Sequence, residues 1–542
     1  MKIQFLMAAL MVAWAITPHA LAAEKYKDAK VLLGEEGKLE YVPDERGNLI
    51  PDFSLCGYMG GGVKLPEVPV VKSLSPIEGT SDDTARIQKA IDEVCALPLK
   101  KSGFRGALLL KRGNYPIKGM LTIHASGVVL RGEGQHEDGT IISGIRVLPY
   151  PKGGRTLLQV GPKMNRKIKE IAGSRREIAD SYVPWGVKSF TLKSTEGLSV
   201  GDNVVIYRPC TLEWLDAIGM KKKWSKEMGG YNFHFERQIV AIDGNRITLN
   251  APTVNAMEDK YGGGFVYRFT EEGGLTQVGV ESLRFVAVFG VGLAGTGDPG
   301  RRAVVLSDCV NSWARNVTGV HFSYATLVLG GTHNGGCKFV TVQDCAYIKP
   351  MGQGGGGSRY PFPNQVGQYC LFQRCFADKG SRHSYQVGSR SRGPNVYLDC
   401  VNNGEDAGPH HRWAMGALYD NICGGQHIVP DRRRFGAHGW SGAQIVHWNG
   451  VGWNAGGTQQ PTARNYFFGI YTKKGPRMKP VEPRSLYLKQ LEERLGKEAV
   501  ENITTEGQRK AVTDKKSDHS RDRLVWNPIK YGIGEMAQEE AK

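Results

Sequence analysis

The sequence predicts an all-β solenoid, a chain of short strands that repeat and stack. Three observations carry this. Strand-like phrases recur every few tens of residues with a cysteine in a similar place, as in LSDCV (Cys309), VQDCA (Cys345), FQRCF (Cys375) and LDCV (Cys400). Seventy-one glycines among 542 residues imply many turns and few long helices. Polar segments crowded with His and Arg follow the repeats, so that neighbouring coils would present them side by side.

The elements follow in chain order. Met1-Lys2, the apolar run Ile3–Ile16 and the small residues Ala20-Leu21-Ala22 read as a cleavable signal peptide over residues 1–22. The run is short for a membrane span and Glu24-Lys25 follow at once, so a secreted or periplasmic protein without membrane insertion is expected. Residues 23–150 form an N-terminal lead-in, a helix and the first coils. The helix rests on Ile87, Ala90, Ile91 and Val94 at helical spacing after the acidic start Asp82-Asp83. The runs GALLLKRGNYPI, MLTIHASGVVLRGEG and GTIISGI then read as strands between Gly and Asn turns.

Residues 151–272 interrupt the repeat with alternating strands and Gly-Asp or Asp-Gly-Asn turns, a small β-rich insertion. Its stretch LEWLDAIGMKKKWSKEMGGYNFHFERQ is either a stacking surface for sugar rings or the insertion's own core and dock, the second being the stronger reading. Residues 273–470 hold the main coils and the functional loops. Residues 471–542 change character: Leu486, Leu488, Leu491, Leu495, Val500 and Ile503 mark a helical segment with Gly496 as a stop, followed by a charged tail. Such a helix would shield the open end of a solenoid.

An exported chain permits disulfides. Yet Cys309, Cys345, Cys375 and Cys400, spaced 36, 30 and 25 residues apart, sit in similar phrases and read as an interior ladder of reduced thiols, with Cys423 in line to extend it. Cys56, Cys95 and Cys210 have no assignment, and no C-x-x-C pair suggests zinc.

The helix Asp83–Leu97, the phrase LLLKRGNYPI (Leu108–Ile117) and GVVLRGEG (Gly127–Gly134) resemble the opening of the pectate-lyase-like superfamily. The likeness covers about residues 75–150 and 275–470. It implies a right-handed parallel β-helix and a carbohydrate-active function, but it fixes no reaction, since members include lyases, hydrolases, epimerases and tail-spike modules.

The formal charge of +17, from 70 Lys+Arg against 53 Asp+Glu, points to an acidic partner. Export and the lack of any recognisable nucleic-acid module exclude nucleic acid, leaving an anionic polysaccharide bound by a monomer. β-Elimination next to a uronate carboxylate needs a cation on the carboxylate, a base for the α-proton and an acid for the departing oxygen. Two clusters 27 residues apart, about one coil, supply these types. Arg412 or Arg382 would neutralise, His410 or His411 abstract, and His383 or Tyr385 assist departure. Arg390, Arg392, Trp413, His438, His447 and Trp448 are the expected substrate contacts. No cofactor is required, although Glu405 and Asp406 would offer oxygen ligands to calcium. The alternatives are a hydrolase using a carboxylate pair from Asp378, Asp399, Glu405, Asp406 and Asp420, with Glu405-Asp406 the pair to watch, and a non-catalytic glycan-binding or adhesion protein.

Overall fold

The computed structural model describes residues 28–145, 156–288, 300–333, 335–351, 357–432 and 438–510. The signal-peptide reading and most of the charged tail lie outside them. The chain forms a right-handed parallel β-helix. Its long strip runs, each strand beside the next in sequence order, from Val70–Leu74 through Gly106–Leu110, Val128–Arg131, Gly279–Val288, Cys309–Val320, Lys338–Gln343, Leu371–Gln373, Arg392–Leu398, Ala414–Asp420 and Val446–Trp448 to Tyr466–Phe468. A second strip comprises Leu121–Ile123, Thr156–Val160, Arg302–Ser307 and Ala325–Gly330, then, across Asn364, His383–Val387, Asp406–Pro409, Gln426–Val429 and Asn454–Gly457.

One corner of the coil is a row of left-handed residues. Ser282, Asn316, Asp344, Arg374, Asp399, Asn421 and Asn449 all have positive φ and stand in register on successive coils. Asn and Asp tolerate this conformation because their short polar side chains bond locally. Arg374 is less suited to it and is held by two bonds to Asp344, at 2.6 and 2.8 Å. Asp344 and Asp399 are therefore coil-corner residues, as their shared phrase implies.

Inside, Cys345, Cys375 and Cys400 stand in register, buried and reduced. Cys309 does not belong to that row. It begins the long strand and is level with Cys337, while Val317 occupies the position before Cys345. The phrase LSDCV thus mimics VQDCA one corner earlier. Cys423 pairs with Val401, so Ile422 and not Cys423 follows Cys400.

The helix Thr84–Ala96 buries Ile87, Ala90, Ile91 and Val94 against Leu108, Leu110, Leu121 and Val128 of the first coils. The insertion is an antiparallel sheet ordered Lys167–Glu170, Phe265–Glu272, Asn203–Arg208, Phe233–Asp243, Arg246–Leu249 and Ser189–Thr191. Its Trp214, Trp224, Tyr231, Phe233 and Phe235 are buried and cluster with Trp413 and Trp440 of the solenoid, so the aromatic stretch is core and dock. The helix Leu486–Leu495 ends at Gly496 in the left-handed region. It lies along the outside of the long strip, over Leu371, Val396, Leu418 and Val446, rather than across the open end. Those outward side chains are apolar, and the helix is what covers them. No helix among the described residues is long and apolar enough to cross a membrane.

Candidate active site

The second strip presents the site, and one irregularity creates it. His383 pairs with Asp406 and Tyr385 with Ala407, so the strand His383–Val387 carries one extra residue between them. Without that bulge His383 and Tyr385 would share a face. With it, Tyr385 points into the core beside Ala407, and His383 turns outward opposite Asp406. His383 Nδ1 then lies 2.9 Å from both Asp406 oxygens, and the pair is almost wholly enclosed, at 3 % and 7 % exposure. Nε2 of His383 is buried with no hydrogen-bond partner among the described residues.

The next coil adds His410, whose backbone N–H donates to Val387 just past Pro409, where the strand ends. Its ring centroid is 3.8 Å from that of His383, and its Nε2 is 3.2 Å from the Tyr360 hydroxyl. Tyr360 comes from the segment Arg359–Asn364, which lies in the second strip between Ala325–Gly330 and His383–Val387 through backbone bonds to both. Its ring stands edge-on to His383 at 4.8 Å and against Tyr324 at 5.2 Å. Burial pushes the Tyr324 phenol up to about 12, and the Arg301 and Arg302 guanidinium carbons lie 5.1 and 5.4 Å from the centre of its ring. His411 continues the cluster at 4.4 Å from His410, and His438 lies 4.3 Å from His411 and 5.8 Å from His410.

Cations rim the cluster. Arg382 faces Glu405 at 3.9 Å, both accessible to solvent. Arg412 pairs with Glu227 of the insertion at 2.5 Å. Arg390 donates to Nε2 of His333 at 3.2 Å; burial first, and then Arg390 itself, brings His333 down to about 4, so it accepts as a neutral ring. Arg412 and Trp413 both hold positive φ, a conformation costing about 1–3 kcal/mol at each non-glycine residue. That reversal sends Arg412 to Glu227 while Trp413 drives into the insertion, edge-on to Trp214 at 5.1 Å.

Five expected residues are not presented to a solute. The Tyr385 hydroxyl donates to the Cys375 and Val401 carbonyls inside the coil. Trp413 is fully buried in the insertion dock. His447 stacks between Tyr419 and Phe467 at 4.7 and 4.9 Å within the core. Trp448 lies on the opposite outer face, donating to the Pro483 carbonyl beneath the C-terminal helix. Arg392, 3 % exposed and brought down to about 10 by burial, donates to the carbonyls of His234 and Gly335 and so ties the insertion down. Parity along a strand decides each case, and a bulge or a buried dock resets parity without changing composition. Tyr360 and Tyr324 are the residues sequence reasoning missed. The signal for Tyr360 was the phrase SRYPFP, which lies apart from the cysteine repeats; Tyr324, in HFSYATL, carried none.

Of the carboxylates offered for hydrolysis, Asp378 takes backbone bonds from Lys349 and Lys379, Asp399 binds Arg484 and Gln508, and Asp420 binds Ser485 and Tyr487. Only Glu405 and Asp406 sit at the histidine cluster. Both Asp406 oxygens face His383 and Glu405 faces Arg382. The one group of three or more among the described residues whose ligand atoms converge is His410, His411 and His438.

No protein-family model matches the sequence, and no curated protein matches it. Among solved structures, the chain is similar to the tailspike protein gp49 of Pseudomonas phage LKA1, with a TM-score of 0.41 and 15 % identity over 70 % of this chain and 55 % of that one. It is similar to an iota-carrageenase from A. fortis (TM-score 0.30, 12 % identity, 72 % and 59 % covered). A tailspike of E. coli bacteriophage HK620 gives 0.32 and 11 % over 74 % and 47 %. The chain thus spans about half of each neighbour's length, and none of them places it within the pectate-lyase-like superfamily.

Proposed function

We propose that this chain is an exported enzyme that cleaves a uronate-bearing polysaccharide by β-elimination at the His383–Asp406 pair. The observation that carries the reading is the geometry of His383. Asp406 holds Nδ1–H, which fixes the tautomer and leaves the lone pair on Nε2, the arrangement that makes an imidazole a general base. Tyr360, steadied on His410 Nε2, is the phenol within reach of the same place. In the reaction His383 Nε2 takes the proton α to the carboxylate, and the C–H electron pair becomes the new double bond. The bond to the glycosidic oxygen breaks with its pair on that oxygen, and the Tyr360 proton goes to it. Arg382 and the Arg301–Arg302 pair supply positive charge for the uronate, where guanidinium geometry matches a carboxylate.

The assignment revises the roles expected from sequence: His383 becomes the base, and Tyr360 replaces Tyr385 as the acid. A hydrolase is the second reading, favoured by one observation, the placement of Glu405 and Asp406 at the cluster. Incubation with uronic-acid polysaccharides separates the two. Elimination yields an unsaturated, ultraviolet-absorbing end for every new reducing end, and hydrolysis yields reducing ends alone.

A further inference from the structure

Beside the His383–Asp406 pair, the cluster contains a second constellation that takes no proton in the elimination, although His410 steadies Tyr360 there. His410, His411 and His438 each place one ring nitrogen so that all three lie within 4.8 Å of one another. We propose that these three histidines form a transition-metal site of the Zn²⁺ class. The inference goes beyond the elimination proposed above and stands or falls separately from it.

Neighbouring residues on an extended strand face opposite ways, yet the rings of His410 and His411 are 4.4 Å apart, because the strand Asp406–Pro409 has ended and Arg412 and Trp413 reverse the chain. His438 arrives from the following coil, immediately before the short strand Gly439–Trp440. Both segments are anchored by tryptophans in the same dock. Trp413 packs on Trp214, Trp440 Nε1 donates to the Ile218 carbonyl at 2.8 Å, and the Trp413 N–H donates to the Trp440 carbonyl at 3.0 Å. The insertion therefore sets the spacing of the three imidazoles from behind.

The donor set selects the metal. Three imidazoles suit zinc and its neighbours, whereas calcium and magnesium demand oxygen. Catalytic zinc sites take three protein ligands and keep a fourth position for water or substrate. Tetrahedral Zn–N bonds of about 2.0–2.1 Å would put the nitrogens about 3.3 Å apart. The two half-exposed rings, His411 and His438, would close that gap by turning about their side-chain bonds. Metal-bound histidines have their second nitrogen held by a partner, and Tyr360 provides this at His410 Nε2, making Nδ1 the ligating atom there. The fourth position would be left for water or an anionic oxygen such as a carboxylate.

The test uses the untagged full chain, stripped with a chelator and titrated with Zn²⁺ by calorimetry, then with Co²⁺ by visible absorption. One ion per chain and a tetrahedral cobalt spectrum are expected. His411→Ala and His438→Ala should each weaken Zn²⁺ binding more than about 100-fold, beyond what loss of a supporting partner costs, and Tyr360→Phe about tenfold. His411→Asn and His438→Asn guard against loosening of the cluster by truncation and should lose binding equally. His136→Ala, at an exposed histidine outside the cluster, should change nothing. Absence of binding at micromolar Zn²⁺, or binding that survives substitution at both 411 and 438, would overturn the site. The readout is binding, so polysaccharide cleavage does not enter it.

Discussion

Two rows of rings run along this solenoid, one inside and one outside, built from the same residue types. The inner row is Phe372, Tyr397, Tyr419, His447 and Phe467, one ring per coil, each in register with the next. From Tyr397 onward its planes are nearly parallel, at 6°, 13° and 4°, and its spacing of 4.7–5.2 Å is that of the backbone ladder. The outer group is Tyr360, His383, His410, His411 and His438, with planes tilted by 35–63° and ring nitrogens turned toward one another. Regular stacking follows from strict register and fills a core. Convergence needs broken register, which the bulge before Tyr385 and the reversal at Arg412-Trp413 supply. The proposed chemistry sits where the repeat fails.

The comparison predicts opposite responses to substitution. The largest effect belongs to the outer group. His383→Ala should lower turnover about 10²–10⁴-fold, the usual contribution of a general base, in protein still folded by circular dichroism although about 1–3 kcal/mol less stable for the buried carboxylate left without its partner. Asp406→Asn should approach it, because the amide no longer fixes the tautomer. Near-normal turnover in both variants would show that the outer group is packing like the inner one.

The next effect is in the pH dependence of stability and belongs to the interior. Burial depresses His427 from 6.5 to about 4 and holds His447 well below its ordinary value, so both are neutral in the folded chain. Below pH 6.5 the unfolded chain takes up protons that the folded chain refuses. Stability should therefore be full above about pH 6.5 and fall as pH drops toward 4, by about 3 kcal/mol for His427 alone. Chemical denaturation at pH 7 and pH 4.5, comparing the parent chain with His427→Phe, measures the contribution. An equal loss in both would remove His427 as its source.

The smallest effect sharpens the contrast within one residue type. Neither ring nitrogen of His447 has a hydrogen-bond partner among the described residues. An unsatisfied buried polar atom costs about 1–3 kcal/mol, and Phe continues the stack that Phe467 already makes. His447→Phe should leave turnover unchanged and raise stability by about 1 kcal/mol, seen as a higher melting temperature. Loss of turnover on that substitution would move His447 back into the site.

What was legible in the sequence divides along the same line. The solenoid, the opening helix and the β-rich insertion were readable because they depend on periodic burial, and each coil repeats the pattern. The neighbourhood of His383, His410 and Asp406 was readable because polar loops at one-coil spacing must become adjacent. Which ring faces out was not. His447 and His383 both sit in strands beside aromatic residues, and only the bulge between His383 and Tyr385 tells them apart. Cys309 failed likewise, since LSDCV and VQDCA differ in the corner they occupy and not in composition. Tyr360 lay outside the repeated phrases, and its partnership with His410 spans 50 residues.

If the outer group performs elimination with His383 as base, chain scission and unsaturation arise in the same step. The most direct measurement is the ratio of unsaturated ends to new reducing ends during digestion of a uronic-acid polysaccharide, for the parent chain and for His383→Ala. The parent should give a ratio of one, and the variant should lose both products together. Reducing ends released without unsaturation, or unsaturated product still formed at the parent rate by His383→Ala, would contradict elimination by His383.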